Sequence, residues 1–415
     1  MTSPDPPCPS PTAPRGAAAA PLLDQGAKLF HIGIPKTGTT FIQRTAAACR
    51  DQLAAHGVFY PPGRGTSYNH RDPVDAVLGS GFADLRAPDI GVWEEFAESL
   101  EAAGAVRCWF GHERASGANE EQARYFAKSL GRKVHVVITL RSFGSLLAPA
   151  WSESAKLRSG RSLRDFLEAV MTERPDVGIS RAFYDRNDQG LVVRRWAEAV
   201  GRENVTAIVV DKGDPDYLPH CFEDLLGLPR DLLVGRVDAD VKGNRSLSLE
   251  EAELNRLVAG KLHGTLGPRA YLEIVRYGGT ASLLNSERDR SAERPVSLPR
   301  DVAKAATERG RRHADEIAES GVRVLGNLDL LREETAWVDD AALEVGAVPP
   351  DLAVDAIAGI ARRVAKQLAV ERERAAEARA ETVEATRTRR LAGIVAGRLV
   401  RRAARLGRGT EGGAR

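Results

Sequence analysis

The segment HIGIPKTGTTFIQ has the composition of a phosphate-binding loop. Gly33 and Gly38 are separated by four residues, and Thr39 and Thr40 follow directly. This is the spacing of the G-x-x-x-x-G-K-[ST] pattern, in which backbone N–H groups surround a phosphate and a lysine reaches the terminal phosphates. Here Thr39 stands where that lysine is required, and the neighbouring lysine, Lys36, lies inside the loop.

The position of this lysine changes the ligand that the loop is suited to bind. Without a lysine beside the final hydroxyl residues, a grip on β- and γ-phosphates is not expected. Lys36 can instead lie beside a single 5′-phosphate and neutralise the oxygen that joins it to a transferred group. Loop N–H groups, the positive end of the following helix and the hydroxyls of Thr37, Thr39 and Thr40 would complete an anion site.

Two further segments carry side chains that suit group transfer. In RCWFGHERAS, His112 and Glu113 follow an apolar run. Histidine titrates near neutral pH, and a glutamate with a raised pKa can also act as a general base. In VITLRSFGSLLAPAWSES, Arg141 ends another apolar run, and a guanidinium is suited to two-point binding of a phosphate.

Together these segments resemble the sulfotransferases that use 3′-phosphoadenosine 5′-phosphosulfate (PAPS), and they are most similar to a bacterial branch of that family. The stretch PKTGTT is similar to the family's 5′-phosphosulfate loop, and the resemblance extends over roughly residues 28–330. It implies a P-loop-like fold and transfer of a sulfuryl group from PAPS to a hydroxyl or amine, without a metal ion. It assigns the 5′ end of the nucleotide to Pro35, Lys36, Thr37, Gly38, Thr39 and Thr40, with Lys36 also stabilising the leaving oxygen.

The resemblance implies a second anion site for the 3′-phosphate. Arg141 matches an arginine that holds this phosphate, but Pro149 replaces the serine that the family carries eight residues later. Ser145, Ser152 and Ser154 stay open as substitutes, with Ser145 included in the predicted site. Looser binding of the 3′ end is the other alternative.

The resemblance leaves the general base open between neighbours. His112 stands where cytosolic members carry a histidine that removes the acceptor's proton, and other branches use a glutamate, to which Glu113 would correspond. Neighbours at a strand end point to opposite faces, so we expect one of the two to face the ligand. His70 lies on a loop expected to line the acceptor cleft. Lys242 is similar to a lysine of a loop that closes on the 3′-phosphate.

The elements that must position these residues alternate between strand and helix. Short apolar runs predict buried strands, and helical patterns follow them. This alternation predicts an α/β fold with a mainly parallel central sheet flanked by helices. A helix is expected from Thr39 or Thr40 to a stop at Gly57, and residues 322–331 predict a last strand or loop. The predicted strands lie at residues 28–34, 105–110, 133–140 and 204–211.

The ends of the chain differ from its centre. Residues 1–26 are rich in Pro and Ala and predict a disordered arm, and residues 27–335 form the predicted sulfotransferase-like domain. Residues 336–415 predict a helical, basic tail, in which eight arginines and no acid occur from Arg387 to Arg408. Arginines around an apolar stripe can lie on an anionic membrane surface; a solvated helix or an oligomer contact is the alternative.

Composition narrows the class of protein. The chain has 415 residues, 43% of them hydrophobic and 28% charged, and its net charge of +2 gives no reason to expect nucleic acid as a partner. The four cysteines are far apart without a C-x-x-C pair, so neither a zinc site nor a disulfide framework is indicated. We expect a cytoplasmic protein, or one held at the membrane surface by its tail.

Two alternatives to a sulfotransferase stay open. A magnesium-dependent nucleotide kinase or triphosphatase is favoured by TAIVVD, where an apolar strand ends in Asp211. A non-catalytic nucleotide-binding relative is favoured by Pro149. The acceptor is also open between a glycan, a lipid and a small metabolite, because acceptor pockets of such enzymes come from loops that carry no readable pattern.

Overall fold

A parallel six-stranded sheet organises the chain, whose computed structural model describes residues 22–63, 68–172, 178–236 and 245–407. All its strand pairs are parallel, in the spatial order β2-β3-β1-β4-β5-β6. This sheet, with helices around it and a helical C-terminal region, confirms the predicted α/β class. The strands are β1 (Lys28–His31), β2 (Val58–Phe59), β3 (Arg107–Gly111), β4 (Val134–Leu140), β5 (Val205–Val209) and β6 (Arg323–Leu325).

Helices connect the strands and cover both faces of the sheet. The helices up to β5 are α1 (Thr39–Ala48), α2 (Arg50–Ala55), α3 (Arg71–Leu78), α4 (Gly91–Ala102), α5 (Glu120–Leu130), α6 (Gly144–Lys156), α7 (Leu163–Met171), α8 (Gly178–Asn187) and α9 (Gln189–Val200). The later helices are α10 (Tyr217–Leu226), α11 (Leu249–Leu262), α12 (Pro268–Tyr271), α13 (Ala281–Asn285), α14 (Arg300–Glu319), α15 (Asp329–Arg332) and α16 (Pro350–Gly407). A nine-residue π-helix, Leu272–Thr280, joins α12 to α13.

The strands are apolar on both sides because both sides of the sheet are buried. On one face Phe30 stacks on Phe110, with ring centroids 5.0 Å apart. On the other face Trp109, next to Phe110 in β3, stacks on Phe222 of α10 at 4.9 Å. Neighbouring residues of a strand therefore belong to two separate apolar clusters, one on each face of the sheet. Because both faces are buried, the strand sequences are continuous apolar runs rather than alternating ones.

The predicted strands are all present, and the differences lie in short elements. The helix expected to run to Gly57 is broken at Cys49, where φ is −100° and ψ is 15°, so that α1 and α2 are separate. The uncertain segment 322–331 contains a true strand, β6, at the sheet edge. The two-residue strand β2 is too short to carry a periodic pattern, and it was not predicted.

The two ends of the described chain pack differently. Near the start, Leu23 is buried and its N–H donates to the carbonyl of Leu225. The base of α16 packs against the π-helix and α13 through Leu352, Ala356 and Gly359. Beyond Gly359 none of the described side chains of α16 is buried. In the part of the chain that the structure describes, no helix combines the length and apolar character needed to cross a membrane.

Three buried histidines predict that the protein loses stability in mild acid. Burial lowers the pKa of His31 to about 3, and it lowers the pKa of His70 and of His135 to about 4. In the unfolded chain each histidine titrates near 6.5, so below this pH the unfolded state binds more protons and the free energy of unfolding falls. We expect a loss on the order of 1–2 kcal/mol per histidine between about pH 7.5 and about pH 5, measured by urea unfolding.

A matched pair of variants isolates this effect. His135→Asn should flatten the dependence of stability on pH, because one protonation event is removed. His56→Asn is the control, since His56 is exposed at the end of α2. Identical pH slopes for the two variants would contradict the explanation.

Candidate functional site

The carboxyl ends of three adjacent strands bring the predicted site residues to one edge of the sheet. β1 lies between β3 and β4. The loop with Lys36 follows β1, His112 and Glu113 follow β3, and Arg141 follows β4. Ligands of parallel sheets bind outside the carboxyl ends of the strands, where the connections diverge. The structure therefore assembles segments that lie more than a hundred residues apart in the chain.

The backbone of the β1 loop adopts a left-handed turn at two positions. Lys36 has φ of 70° and Gly38 has φ of 85°, and both residues are exposed. For a residue with a side chain this conformation costs about 1–2 kcal/mol. The strain is held by Arg141, whose Nη1 donates to the carbonyl of Lys36 at 2.9 Å. Such held strain is common at ligand-binding turns.

Thr37 fixes the loop to the sheet instead of facing solvent. Its buried hydroxyl donates to the carbonyl of Ile34 at 2.6 Å and bonds the hydroxyl of Thr139 in β4 at 2.5 Å. Its hydroxyl is therefore not available to a ligand. The loop also lies so close to β4 that position 33 must be glycine. A Cβ at Gly33 would stand 2.0 Å from Oγ1 of Thr139.

Thr39 and Thr40 open helix α1 at the other end of the loop. The Thr39 hydroxyl is buried and has no hydrogen-bond partner among the described residues. Thr40 is partly exposed. The unpaired N–H groups and the dipole of a ten-residue helix add positive potential at this point. An unpartnered hydroxyl donor, exposed loop backbone and Lys36 together fit an oxyanion.

Arg141 is positioned by a buried amide. Oε1 of Gln189 accepts from the backbone N–H of Arg141 at 3.2 Å, and Nε2 of Gln189 donates to its carbonyl at 2.8 Å. The Arg141 charge, followed by burial, lowers the pKa of the Lys212 ammonium, which follows β5. Lys212 is thus a second cation near Arg141. Its position just after the buried strand β5 is the sequence signal that could have identified it.

The three serines proposed to replace the residue at Pro149 are placed differently. Pro149 lies inside α6. Ser145 is in the first turn of α6, four residues after Arg141, and its hydroxyl donates to the carbonyl of Ser142 at 2.6 Å. Ser152 is buried, and the Ser154 hydroxyl donates to the carbonyl of Trp151 at 2.8 Å. Of the three, Ser145 lies nearest in the chain to Arg141.

The hydrogen bonds of His112 work against a role as general base. Its Nδ1 accepts from the backbone N–H of Arg114 at 3.2 Å and caps the short 3₁₀ helix Glu113–Gly117. The proton of the neutral ring is then on Nε2, which leaves no free lone pair. Burial, followed by the charge of Arg71, lowers the pKa of His112 well below its usual value.

Glu113 has the properties that a general base requires. It is partly buried and makes no ion pair with any described residue. Burial raises the pKa of its carboxyl group, against the opposing charges of Arg71, Lys36 and Arg186. Lys36 and Glu113 follow the adjacent parallel strands β1 and β3, which places both residues at the same edge of the sheet.

His70 has both ring nitrogens occupied. Nδ1 accepts from the backbone N–H of Gly111 at 3.2 Å, and Nε2 donates to the carbonyl of Pro61 at 2.9 Å. Its ring packs against Tyr60, with centroids 4.9 Å apart. His70 therefore anchors the end of β3 and leaves no nitrogen for proton transfer.

A carboxylate that the sequence did not identify lies beside the loop lysine. Oε2 of Glu153 in α6 is 3.7 Å from Nζ of Lys36 and 3.3 Å from Nζ of Lys156, and Oε1 accepts from Nη2 of Arg276 at 2.7 Å. Burial raises the pKa of Glu153, but the charges of Lys156, Arg276 and Lys36 outweigh it and bring the pKa well below its usual range. Glu153 is therefore ionised and holds three cations around the site.

Two predicted features lie outside this edge. Lys242 is not among the described residues. The carboxylate of Asp211, expected to hold magnesium in a kinase-like protein, accepts from the backbone N–H of Gly213 at 2.7 Å in a local turn. Within the described ranges, no group of three or more His, Cys, Asp or Glu side chains is arranged to hold a metal ion.

A large cavity lies elsewhere on the molecule and is not part of the candidate site. This cavity of about 660 Å³ lies between α5, α8 and α9 and is lined by charged side chains such as Glu121, Arg181 and Arg194. It contains no residue of the β1 loop and no residue that follows β3 or β4 at the site edge. We assign the candidate site to the strand ends on chemistry and geometry rather than on cavity size.

Among solved structures, the chain has a distant likeness to a sulfotransferase. The crystal structure of a sulfotransferase from Alicyclobacillus acidocaldarius is similar over 59% of this chain and 98% of that chain, at 14% sequence identity and a TM-score of 0.32. No protein-family model matches the chain, and no curated protein matches it. A likeness at this level does not decide function.

Proposed function

We propose that the protein is a sulfotransferase, which transfers a sulfuryl group from PAPS to a hydroxyl or amine of an acceptor. The observation that carries the proposal is the β1 loop, where an exposed lysine in a left-handed turn stands next to an unpartnered threonine hydroxyl at a helix N-terminus. This arrangement is suited to one phosphate joined to a transferred group. It lacks the lysine that a polyphosphate tail requires.

The residues present fit the nucleotide at both ends. The backbone of the loop, with Thr39, Thr40 and the Lys36 ammonium, would hold the 5′-phosphosulfate. Arg141, with Ser145 and Lys212 near it, would hold the 3′-phosphate. When bound, the nucleotide supplies the activated sulfuryl group. Lys36 then offsets negative charge on the bridging oxygen, which is the electrostatic stabilisation that this transfer needs.

Glu113 is the residue that we propose as general base. It stands at the same sheet edge as Lys36, and it makes no ion pair with any described residue. It can accept the proton of an acceptor hydroxyl that lies between the two. We also propose that no metal ion takes part, because a sulfuryl group bears less charge than a phosphoryl group and fixed cations and N–H donors suffice.

We propose that the acceptor is a glycan, a lipid or a small metabolite, since the net charge of +2 gives no reason to expect nucleic acid. We propose a cytoplasmic setting for the reaction. The described cysteines Cys49, Cys108 and Cys221 are free and buried, which suits a reducing compartment.

Nucleotide binding provides the first test. We expect 3′,5′-adenosine bisphosphate to raise the melting temperature more than ATP with Mg²⁺ does. At 100 times its Kd, the bisphosphate should stabilise the folded protein by about 2.7 kcal/mol. Lys36→Ala should weaken this binding about 10-fold or more, because a charge-assisted contact is lost. Lys304→Ala on the exposed side of α14 is the matched control and should bind as the unmodified protein does.

The alternatives give different results in the same experiment. Preference for ATP with Mg²⁺ would support a kinase or triphosphatase and overturn the proposal. Binding of the bisphosphate without sulfated product, in a screen of acceptors with labelled PAPS, would indicate a non-catalytic relative. Sulfated product from the unmodified protein and none from Lys36→Ala would support the sulfotransferase.

The dependence of activity on pH identifies the base. A glutamate must be deprotonated to act, so kcat/KM should rise with pH through a pKa above the usual range for glutamate, because burial raises the pKa of Glu113. Glu113→Gln should lower kcat about 10²- to 10⁴-fold and remove this acid limb. His112→Asn can still cap the 3₁₀ helix, so this variant should retain the kcat and the acid limb of the pH profile. The reverse pattern would assign the base to His112.

We also propose that the exposed half of α16 contacts anionic membranes. Its apolar side chains Leu391, Ile394 and Leu399 are exposed, with Arg390 and Arg398 near them. Full-length protein should sediment with vesicles that contain phosphatidylserine, and a chain ending near residue 370 should not. This end point keeps the packed base of α16. Equal sedimentation of both chains, or none, would contradict membrane contact.

A further inference from the structure

Two guanidinium groups share one aromatic ring beside the candidate site. Cζ of Arg71 is 4.5 Å from the centroid of Phe82, and Cζ of Arg276 is 5.3 Å from the same centroid. The ring lies in a short 3₁₀ turn, Phe82–Asp84, in which Ala83 has φ of 52°. Left-handed backbone at a residue with a side chain is strained, and here it directly follows the ring that both guanidinium groups contact.

Neither guanidinium is fully paired. Arg71 makes no ion pair with any described carboxylate, and its Nε is buried without a hydrogen-bond partner among the described residues. Arg276 donates to Glu153 through Nη2, while its Nη1 is buried without a partner in the same part of the chain. Buried N–H donors without acceptors are unfavourable, and a bound oxyanion would satisfy them.

Several cations act on the two carboxylates Glu113 and Glu153. The charges acting on Glu113 come from Arg71, Lys36 and Arg186, and those acting on Glu153 come from Lys156, Arg276 and Lys36. One of these cations, Lys36, is assigned to the leaving oxygen, which leaves Arg71 and Arg276 for the acceptor side of the site.

Arg71 and Arg276 are linked to the proposed reacting groups. Arg71 acts electrostatically on Glu113, the proposed base, and Arg276 binds the same carboxylate that lies 3.7 Å from Lys36. Arg276 stands in the π-helix Leu272–Thr280, a rare conformation that is frequent at functional sites. Arg276 is therefore connected to Lys36 through Glu153, and Arg71 is connected to Arg276 through the ring of Phe82.

We propose that the acceptor carries an anionic group, a carboxylate, sulfate or phosphate, which binds between Arg71 and Arg276 next to Phe82. The substrates of this site are then acidic acceptors. The planar guanidiniums supply two-point hydrogen bonds to the oxyanion, and the ring of Phe82 holds their spacing. This inference rests on the proposed sulfotransferase function, because it places the anion on the acceptor rather than on the nucleotide.

Anion binding in the presence of nucleotide tests the proposal. Protein saturated with 3′,5′-adenosine bisphosphate is titrated by calorimetry with inorganic phosphate and, separately, with glucuronate. Glucose is the uncharged control for glucuronate. We expect at least one of the two anions to bind with one-to-one stoichiometry and glucose not to bind. Arg71→Gln and Arg276→Gln should each weaken the anion about 10-fold or more, with the nucleotide affinity unchanged within about twofold.

Control variants keep the experiment decisive. Arg132→Gln removes an exposed arginine after α5 and should change nothing. Arg71→Gln breaks no ion pair with a described residue, whereas Arg276→Gln deprives Glu153 of a partner; if the latter misfolds, Arg276→Lys keeps the charge and should still weaken the anion. Binding of neither anion, or equal binding by Arg71→Gln, overturns the inference.

Failure of the nucleotide proposal can be told apart from failure of this one. If the bisphosphate does not bind, the same titrations are made without nucleotide on Lys36→Ala, in which the β1 loop has lost its cation. Loss of anion binding on adding Arg71→Gln to that variant supports the acceptor site independently. No change on adding it overturns the acceptor site as well.

Discussion

The hydrogen bond between the hydroxyls of Thr37 and Thr139 ties the β1 loop to the neighbouring strand. β4 is an interior strand of the sheet, so the loop is referenced to a rigid, buried element. Arg141 directly follows the same strand, and its guanidinium donates to the carbonyl of Lys36. One strand therefore holds the loop at a buried point and at its rim. Such preorganisation means that a ligand does not have to order the turn when it binds.

Glu153 offsets the repulsion between Lys36, Lys156 and Arg276 when no ligand is bound. Like charges held close together repel, and three of them converge on this one carboxylate. The contact to Lys36 is the longest of the three at 3.7 Å, and Lys36 is the most exposed of these cations. Lys36 is thus the cation that can most easily exchange Glu153 for a ligand oxygen, while Lys156 and Arg276 stay in place.

The sequence was sufficient for features that are contiguous in the chain. The strand, loop and helix around Lys36 follow from glycine spacing and an apolar run, and the parallel sheet follows from the repeated alternation of strand and helix. The choice between His112 and Glu113 was not accessible, because it depends on a backbone N–H at Arg114 that uses one ring nitrogen. The hydroxyl of Thr37 looked like a ligand-binding group until its buried partners were known.

Features built from distant segments left no pattern to read. Arg71, Phe82 and Arg276 belong to a helix start, a short turn and a π-helix, separated by up to about two hundred residues. Each is unremarkable within its own stretch of sequence. Their proximity is a property of tertiary packing alone, as is the role of Gln189 in fixing the backbone of Arg141.

Helix α16 packs closely against the π-helix at its base, and the rest of α16 extends away from the sheet domain as an exposed tail. A Cβ at Gly359 would stand 2.5 Å from the carbonyl oxygen of Gly278, and Arg363 pairs with Glu273 on the adjoining turn. The part of α16 beyond residue 370 extends for roughly 55 Å at the helical rise of about 1.5 Å per residue. The helix that carries the exposed tail thus packs directly on the segment that carries Arg276, so a shift of one would displace the other.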